Sequence, residues 1–269
     1  MTVFRVPKPI IGMLHVPALP GSPANSNGIR EIRKWVLADA EALAEGGVDG
    51  FILENFGDAP FYPGRVPPHT VAFLSVIGHD LKARFPLPLG INVLRNDALS
   101  ALAVATAVEA EFVRVNVYTG ARLSDQGILQ GEAHEILRYR KLLESDVAVF
   151  ADVAVKHSTA IGQRDLADEV EDTVRRGRAD AIIISGSATG KRASLEDLQI
   201  ARKAACGTPV FIGSGVDTSN AAELLAYADG AIVGTALKKD GYTLNPVDRG
   251  RVKALVEAVR TTRIRESRR

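Results

Sequence analysis

Polar and ionisable residues follow short hydrophobic segments at several points of this 269-residue sequence. Six of them have side chains suited to proton transfer or to polarising a carbonyl group: His15, Glu54, Asn116, Asp152, Lys156 and His157. Five more residues in comparable positions could hold a substrate: Asn92, Arg95, Arg114, Ser185 and Gly190. If the ends of these segments surround one pocket, carboxylates there lose their contact with water unless they bind a ligand. We therefore predict that Glu54 and Asp152 act as a general base or acid.

Glycine-rich turns follow the last two hydrophobic segments, as GSGV at 213–216 and VGTAL at 233–237. A helix is predicted to begin at Asp217 or Thr218, directly after the first turn. Backbone N–H groups of such turns and the partial positive charge of a helix N-terminus bind phosphate. The predicted phosphate site consists of Ser214, Gly215, Val216, Gly234 and Thr235. The structural alternative is that these glycines only permit tight turns.

The segment SGSATGK at 185–191, which contains Gly190, offers further hydroxyl groups, backbone N–H groups and a lysine. It could bind the same phosphate or close over the ligand. It is not a nucleotide-binding P-loop, because the required spacing from a first glycine to Gly-Lys-Ser/Thr is absent.

Several candidates also have a purely structural interpretation. Arg114 could form an ion pair with Glu54 or Asp152 across the protein interior. His15 could support the proline-rich loop that follows it. Lys156 suits Schiff-base chemistry, but it comes after Asp152 at a position that is predicted to lie in a loop.

A divalent metal ion is a further alternative for the same residues. His15, Glu54, Asp152 and His157 are side chains of the types that bind such ions. They do not form a dense metal-binding motif. We therefore assign no metal ligands and no certain cofactor, and leave a divalent metal open.

The elements that must position these residues follow from eight short runs rich in Val, Ile, Leu and Phe, separated by segments with helical periodicity. The runs are 10–14, 48–53, 89–94, 112–117, 147–152, 181–185, 210–213 and 231–233. Eight repeats of strand and helix predict one closed (β/α)₈ barrel domain over 1–269, with the barrel at about 8–245 and a C-terminal helix and basic tail at about 246–269. A doubly wound open sheet is the main structural alternative.

Connections from strand to helix are long at 15–28, 54–68 and 118–131, whereas connections from helix to strand are short. In a barrel all the long connections fall at the C-terminal ends of the strands, where barrel enzymes have their active sites. Tolerated surface insertions are the alternative, but they would not gather at one end. The loop lengths therefore predict a functional mouth.

Composition excludes several classes of protein. Hydrophobic residues make up 46% and charged residues 24%, and the net charge of +1 gives no global field for nucleic acid or an anionic membrane. The single cysteine, Cys206, allows no internal disulfide and fits a reducing compartment. No segment approaches the roughly 18 to 20 apolar residues of a membrane span. We expect a cytoplasmic homo-oligomer without an integral membrane segment.

The arginine-rich tail at 260–269, RTTRIRESRR, could contact nucleic acid or anionic lipid. We interpret it as a solvated helix end, because no aromatic stacking residues accompany it. Nucleic acid is therefore not among the expected partners.

Long motifs along the chain resemble the BtpA family. They are IGMLHVPALPGSP, DGFILENFGDAPF, GINVLRND, DQGILQGEAHEILRYR, DVAVKHS, ISGSATG and GSGV. The resemblance extends from about Ile10 to about Leu244. It implies a phosphate-binding barrel related to ribulose-phosphate-binding enzymes, without a settled reaction. The family is named for a role in photosystem I accumulation in cyanobacteria, and similar proteins occur among those of sugar metabolism.

Three functions stay open at this point. The first is proton-transfer, aldol or isomerisation chemistry on a phosphorylated small metabolite such as a sugar phosphate, by a lyase or isomerase whose substrate the phosphate site would orient. The second is cleavage of a nucleoside or glycoside by paired carboxylates. The third is a non-catalytic photosystem I biogenesis or stability factor, which an exposed apolar patch outside the mouth would favour.

Overall fold

A closed barrel of eight parallel strands forms the centre of the computed structural model, which describes residues 3–155, 157–162, 164–186 and 194–266, the last six without side chains. The strands of the chain are β1 (Ile10–His15), β2 (Gly50–Glu54), β3 (Leu89–Asn92), β4 (Phe112–Val115), β5 (Ala121–Ser124), β6 (Gly127–Gln130), β7 (Ala148–Val153), β8 (Ser158–Ala160), β9 (Ala181–Ile184), β10 (Val210–Ile212) and β11 (Gly230–Val233). Around the barrel the order is β1, β11, β10, β9, β7, β4, β3, β2. The predicted (β/α)₈ barrel is confirmed, and the open-sheet alternative is excluded.

Helices surround the barrel as α1 (Ile29–Gly46), α2 (Pro68–Arg84), α3 (Ala98–Ala107), α4 (Ala133–Leu142), α5 (Leu166–Glu171), α6 (Leu195–Ala204), α7 (Ala221–Leu225) and α8 (Arg249–Glu266). A π-helical turn, Asp172–Arg176, continues α5. Local sequence sets their ends: Gly47 takes the left-handed conformation after α1, and the Asp97 carboxylate accepts from the Ser100 N–H at the start of α3. The outward-facing strand residues pack against these helices in the main apolar core.

The inside of the barrel changes character along the strands. Near their N-terminal ends the inward side chains are apolar, and the rings of Phe112 and Phe150 have centroids 4.6 Å apart. Phe4, which precedes β1, covers this end by packing on Phe112 and Phe211. Toward the C-terminal ends of the strands the inward side chains become polar or are absent, as at Arg114, two residues after Phe112. The strand pattern therefore places the polar residues together at the C-terminal end.

One of the predicted long loops contains a sheet of its own. Within 118–131 the strands β5 and β6 form an antiparallel hairpin, and β8 pairs with the other edge of β5. Asp125 and Gln126 form the two-residue connection between Ser124 and Gly127, which has φ of 91°. This long connection is therefore an ordered sheet rather than an irregular loop.

The helix predicted after the first glycine turn begins later than expected. The carboxylate of Asp217 accepts from the backbone N–H of Ser219, which forms a local turn, and α7 begins only at Ala221. Because α7 has only five residues, its dipole adds little to a phosphate site.

Candidate functional site

A cavity of about 1080 Å³ opens at the C-terminal ends of the barrel strands. Eleven of the predicted site residues line it: His15, Glu54, Arg95, Arg114, Asn116, His157, Ser214, Gly215, Val216, Gly234 and Thr235. Asn92 and Asp152 do not line it but form hydrogen bonds with the lining residues Asn116 and Arg114, and Ser185 donates in turn to Asp152. Lys156 and Gly190 lie outside the described residues. Residues far apart in the sequence therefore converge on one space, as the strand pattern predicts.

Asp152 and Arg114 form a buried ion pair beneath the cavity. Arg114 Nε lies 2.9 Å from Asp152 Oδ2, and Nη2 lies 3.0 Å from Oδ1, which is the bidentate geometry. Burial lowers the pKa of the Arg114 guanidinium, but the charge and hydrogen bonds of Asp152 and the charge of Glu54 outweigh burial, so the net shift is upward. Of the two carboxylates predicted as partners of Arg114, Asp152 forms the hydrogen-bonded pair.

Neighbouring amide and hydroxyl groups complete the hydrogen bonds of this pair. Asn116 Nδ2 donates to Asp152 Oδ2 at 3.0 Å, and Ser185 Oγ donates to Oδ1 at 3.3 Å. Asn92 Nδ2 in turn donates to Asn116 Oδ1 at 3.0 Å. With four donors on its two oxygens, Asp152 is placed to hold Arg114 and Asn116 rather than to take a proton from a ligand. Its predicted catalytic role stays a prediction.

His15 and Glu54 form the ionisable pair that faces the cavity. They are directly opposite each other in the β1–β2 register, and His15 Nε2 lies 3.8 Å from Glu54 Oε1. Both side chains are only 8% exposed. The ring of Phe56 packs on the imidazole with centroids 4.7 Å apart, which fixes the plane of the ring. Because 3.8 Å exceeds the length of a hydrogen bond, transfer of a proton between this carboxylate and this imidazole needs a closer approach or one bridging water.

A buried cation occupies another part of the wall. Arg95 is 7% exposed and lines the cavity. Burial lowers the pKa of its guanidinium from the ordinary value, and the charges of Asp152, Glu54 and Asp125 oppose that shift. A charged arginine at this position favours an anionic or strongly polar ligand group.

The two glycine turns form the part of the wall that follows β10 and β11. Gly215 has φ of 72°, a conformation that side chains disfavour, and Asn220 Nδ2 holds its carbonyl at 2.9 Å. A Cβ atom at Gly234 would lie 2.8 Å from His15 Cε1, so this glycine permits the close approach of the β11 turn to the histidine. A short 3₁₀ helix, Thr235–Leu237, starts directly after Gly234. The residues predicted to bind phosphate are thus adjacent to the His15–Glu54 pair.

The lining residues that the sequence analysis did not assign to the site include Phe56, Phe61, Asp125, Asp217 and Arg251. The Asp-Gln-Gly turn between two alternating segments is a hairpin signal that could have placed Asp125. No local signal places Arg251, because it reaches the mouth only through the packing of α8 at the end of the barrel.

The described ranges contain no group of three or more His, Cys, Asp or Glu side chains arranged to hold a metal ion. Among their helices none is both long and apolar enough to span a bilayer.

Comparison with known sequences identifies one family. The model of the BtpA family matches residues 6–261. The chain is 49% identical to "Photosystem I biogenesis protein BtpA" of Synechocystis sp. over 95% of its own length and 89% of that protein. It is 45% identical to an uncharacterized protein of Thermococcus kodakarensis, covering 95% of this chain and 97% of the relative. An uncharacterized mitochondrial protein of Caenorhabditis elegans is 36% identical, with 94% and 93% covered.

Solved structures resemble the fold at low sequence identity. N-(5'-phosphoribosyl)anthranilate isomerase from Pyrococcus furiosus superposes with a TM-score of 0.60 at 12% identity, over 94% of this chain and 99% of that one. Thiamine phosphate pyrophosphorylase from the same organism gives 0.56 at 16% identity, over 94% and 96%. These similarities establish the TIM-barrel fold and no more.

Proposed function

Because the chain belongs to the BtpA family, we propose that it is a lyase or isomerase that transfers a proton on a phosphorylated small metabolite, such as a sugar phosphate. The observation that carries this proposal is the shared cavity, in which the His15–Glu54 pair faces the same space as the Gly215 and Gly234 turns. A phosphate bound at the turns orients the rest of the substrate toward Glu54.

In this proposal Glu54 removes a proton from a carbon beside a carbonyl group, and His15 stabilises or relays that proton. Arg114 and Asn116 donate hydrogen bonds to the carbonyl oxygen as it gains negative charge. Asp152 is a positioning residue, since its carboxylate accepts hydrogen bonds from both Arg114 and Asn116 and holds them in place. Return of the proton to a neighbouring atom gives an isomerase. For a lyase, Glu54 instead removes the proton of a hydroxyl group β to the carbonyl, and cleavage of the bond between the α and β carbons releases an aldehyde and an enolate, which takes the proton back from Glu54.

The structural neighbours support the proposal that the substrate is phosphorylated. Two of them are named for a phosphoribosyl compound and for thiamine phosphate, so barrels of this shape hold phosphorylated molecules. The alternative of nucleoside or glycoside cleavage by the predicted pair has less support, because it needs two carboxylates on the ligand and Asp152 does not line the cavity, which leaves Asp125 or Asp217 as the second carboxylate beside Glu54.

The test is a thermal-shift screen of phosphorylated metabolites, with and without divalent metal ions, followed by titration calorimetry of each compound that stabilises the protein. Gly215→Asp places a carboxylate at the predicted phosphate position and should abolish binding. Gly207→Asp is the matched control, because Gly207 also has positive φ and lies in an open turn before β10, at the other end of the barrel. Equal loss of binding in both variants would contradict the proposal, as would a screen in which no compound stabilises the protein.

A second function has one specific observation in its favour. Leu123, Ile128 and Ile161 are each more than half exposed, and Leu123 and Ile128 are opposite each other on the hairpin formed by β5 and β6. An apolar patch of this kind marks a protein contact site, and the Synechocystis relative is named for photosystem I biogenesis. We propose that this patch binds another protein, in which case the chain acts in assembly.

A photo-crosslinking amino acid at Ile128 tests this function in cells of the native host. The control position is Leu142, which is 76% exposed on α4. Adducts specific to position 128 would support a partner, and identical patterns at both positions would exclude one at this patch.

A further inference from the structure

A second cavity lies on the outside of the barrel and shares no lining residue with the mouth. It is a groove of about 580 Å³ between α4 and the π-helical turn after α5. Its basic lining residues are His134, Arg138, Lys141, Arg176 and Arg178. Within the described part of the chain, the lining contains no aspartate or glutamate. The groove is therefore a concentrated positive site in a protein whose net charge is only +1.

The positive charges in this groove are poorly compensated. Within the described ranges, neither Lys141 nor Arg178 has an ion pair or side-chain hydrogen bond. Arg138 donates to the backbone carbonyl oxygen of His134 at 2.8 Å, which leaves its charge unpaired. Arg176 lies 3.7 Å from the carboxylate of Asp172 on the same helical turn, and its side chain is 84% exposed. Mutual repulsion among these cations favours binding of an anion.

The floor of the groove is held in place by specific contacts. The buried Tyr118 donates its hydroxyl hydrogen to the carbonyl oxygen of Gly177 at 2.5 Å, and Thr119 Oγ1 lies 2.9 Å from Thr173 Oγ1. A Cβ atom at Gly177 would lie 2.9 Å from the Tyr118 ring, and one at Gly131 only 2.5 Å from Thr119 Cα. The glycines therefore let the segment at 118–120 lie between the two helices, and the groove is a fixed feature of the fold.

The spacing of the hydrogen-bond donors selects the shape of the anion. On α4, positions 134, 138 and 141 share one face and extend about 10 Å along the axis. Arg176 and Arg178 face them from the other side. A single phosphate group is too short to reach both ends of this array, whereas a chain of two or three phosphates can. The apolar lining at Leu137 offers space for an attached organic group.

We propose that this groove binds a condensed phosphate chain, either free or as part of a nucleotide. The proposal does not depend on the function assigned to the mouth. Because the cations are exposed, binding should weaken steeply as the salt concentration rises.

Titration calorimetry at low salt, with tripolyphosphate, ATP and orthophosphate as ligands, tests the proposal. Tripolyphosphate and ATP should bind, and orthophosphate should bind far more weakly. Similar affinity for the first two identifies the free chain as sufficient, and tighter binding of ATP identifies a nucleotide as the source. Replacing two cations, in Arg138→Gln with Lys141→Gln, should weaken binding about tenfold.

Two controls separate the groove from the rest of the molecule. Arg30→Gln with Lys34→Gln removes the same charge from exposed positions of α1 and should leave the affinity unchanged. Gly215→Asp, which alters the mouth, should also leave it unchanged. If the first double variant does not fold, Arg176→Gln with Arg178→Gln replaces it. Three results would overturn the proposal. The first is equal affinity in the groove variant and in wild type, and the second is loss of binding only with Gly215→Asp. The third is tight binding of polyglutamate without binding of tripolyphosphate or ATP.

Discussion

The two ends of the barrel interior are built from the same strands and differ completely in chemistry. At the N-terminal end, Phe4, Phe112, Phe150 and Phe211 pack as a continuous group of rings. At the C-terminal end the same strands present charged, amide and hydroxyl groups or glycines around a cavity. One end buries apolar surface and stabilises the fold, while the other holds charges away from water and would be retained for binding or catalysis.

The largest effect on stability should come from the aromatic end. Phe112→Ala removes a fully buried ring that contacts two other rings, so the free energy of unfolding should fall by about 3–5 kcal/mol. Phe61→Ala at the mouth is the comparison, and its half-buried ring should contribute about 1 kcal/mol or less to stability. Urea unfolding of both variants measures the difference. Equal losses would mean that the two ends do not differ in this way.

The largest effect on activity should come from the mouth. Glu54→Gln removes the proposed base but keeps the shape of the side chain, so kcat on a substrate from the metabolite screen should fall about 100-fold or more. KM and the unfolding midpoint should change little, because the phosphate contacts and the core are intact. Unchanged kcat would assign the proton transfer to another residue.

Breaking the buried ion pair should affect stability rather than chemistry first. Asp152→Asn leaves the buried Arg114 without its counter-charge and should lower the free energy of unfolding by about 3 kcal/mol. The double variant Arg114→Met with Asp152→Leu should regain most of that loss, since two apolar side chains leave no unpaired charge. If Asp152→Asn instead leaves stability unchanged and abolishes turnover, Asp152 is an acid or base after all.

The smallest effect is a pH dependence near the mouth. Burial raises the pKa of the Asp58 carboxyl above its ordinary value of 3.8, although hydrogen bonds from Leu19 and Asn55 oppose the shift. The folded protein therefore holds this proton more tightly than the unfolded chain, and the stability gained is present at low pH and lost as pH rises through the raised value. The stability of wild type relative to Asp58→Asn, measured from pH 3 to 6, should decline with pH. A rising difference would contradict the assignment.

Much of the fold follows from the sequence because each barrel strand lies in a hydrophobic run and the polar candidates stand at or just beyond the C-terminal ends of these runs. Glu54 and Gly215 could therefore be placed at one mouth from the sequence alone. The sequence left open whether Asp152 pairs with Arg114 or acts as a base. Its partners come from other strands, and only their distances from Asp152 decide between these two roles. The sheet within 118–131 was missed because its polar composition is also typical of loops.

The basic groove was missed for a related reason. Arg138 and Lys141 are ordinary exposed residues of a helix by sequence, and only the packing of α4 near the π-helical turn brings Arg176 and Arg178 opposite them. No pattern within either segment indicates that the two will face each other.

We propose that one ligand contacts both the Gly215 and Gly234 turns and the His15–Glu54 pair. The most direct test is a crystal structure of the protein with a metabolite from the screen. We expect the phosphate to accept hydrogen bonds from backbone N–H groups of the Gly215 and Gly234 turns, and the reacting carbon to lie within reach of Glu54. A phosphate bound elsewhere, with the mouth occupied only by solvent, would contradict the account.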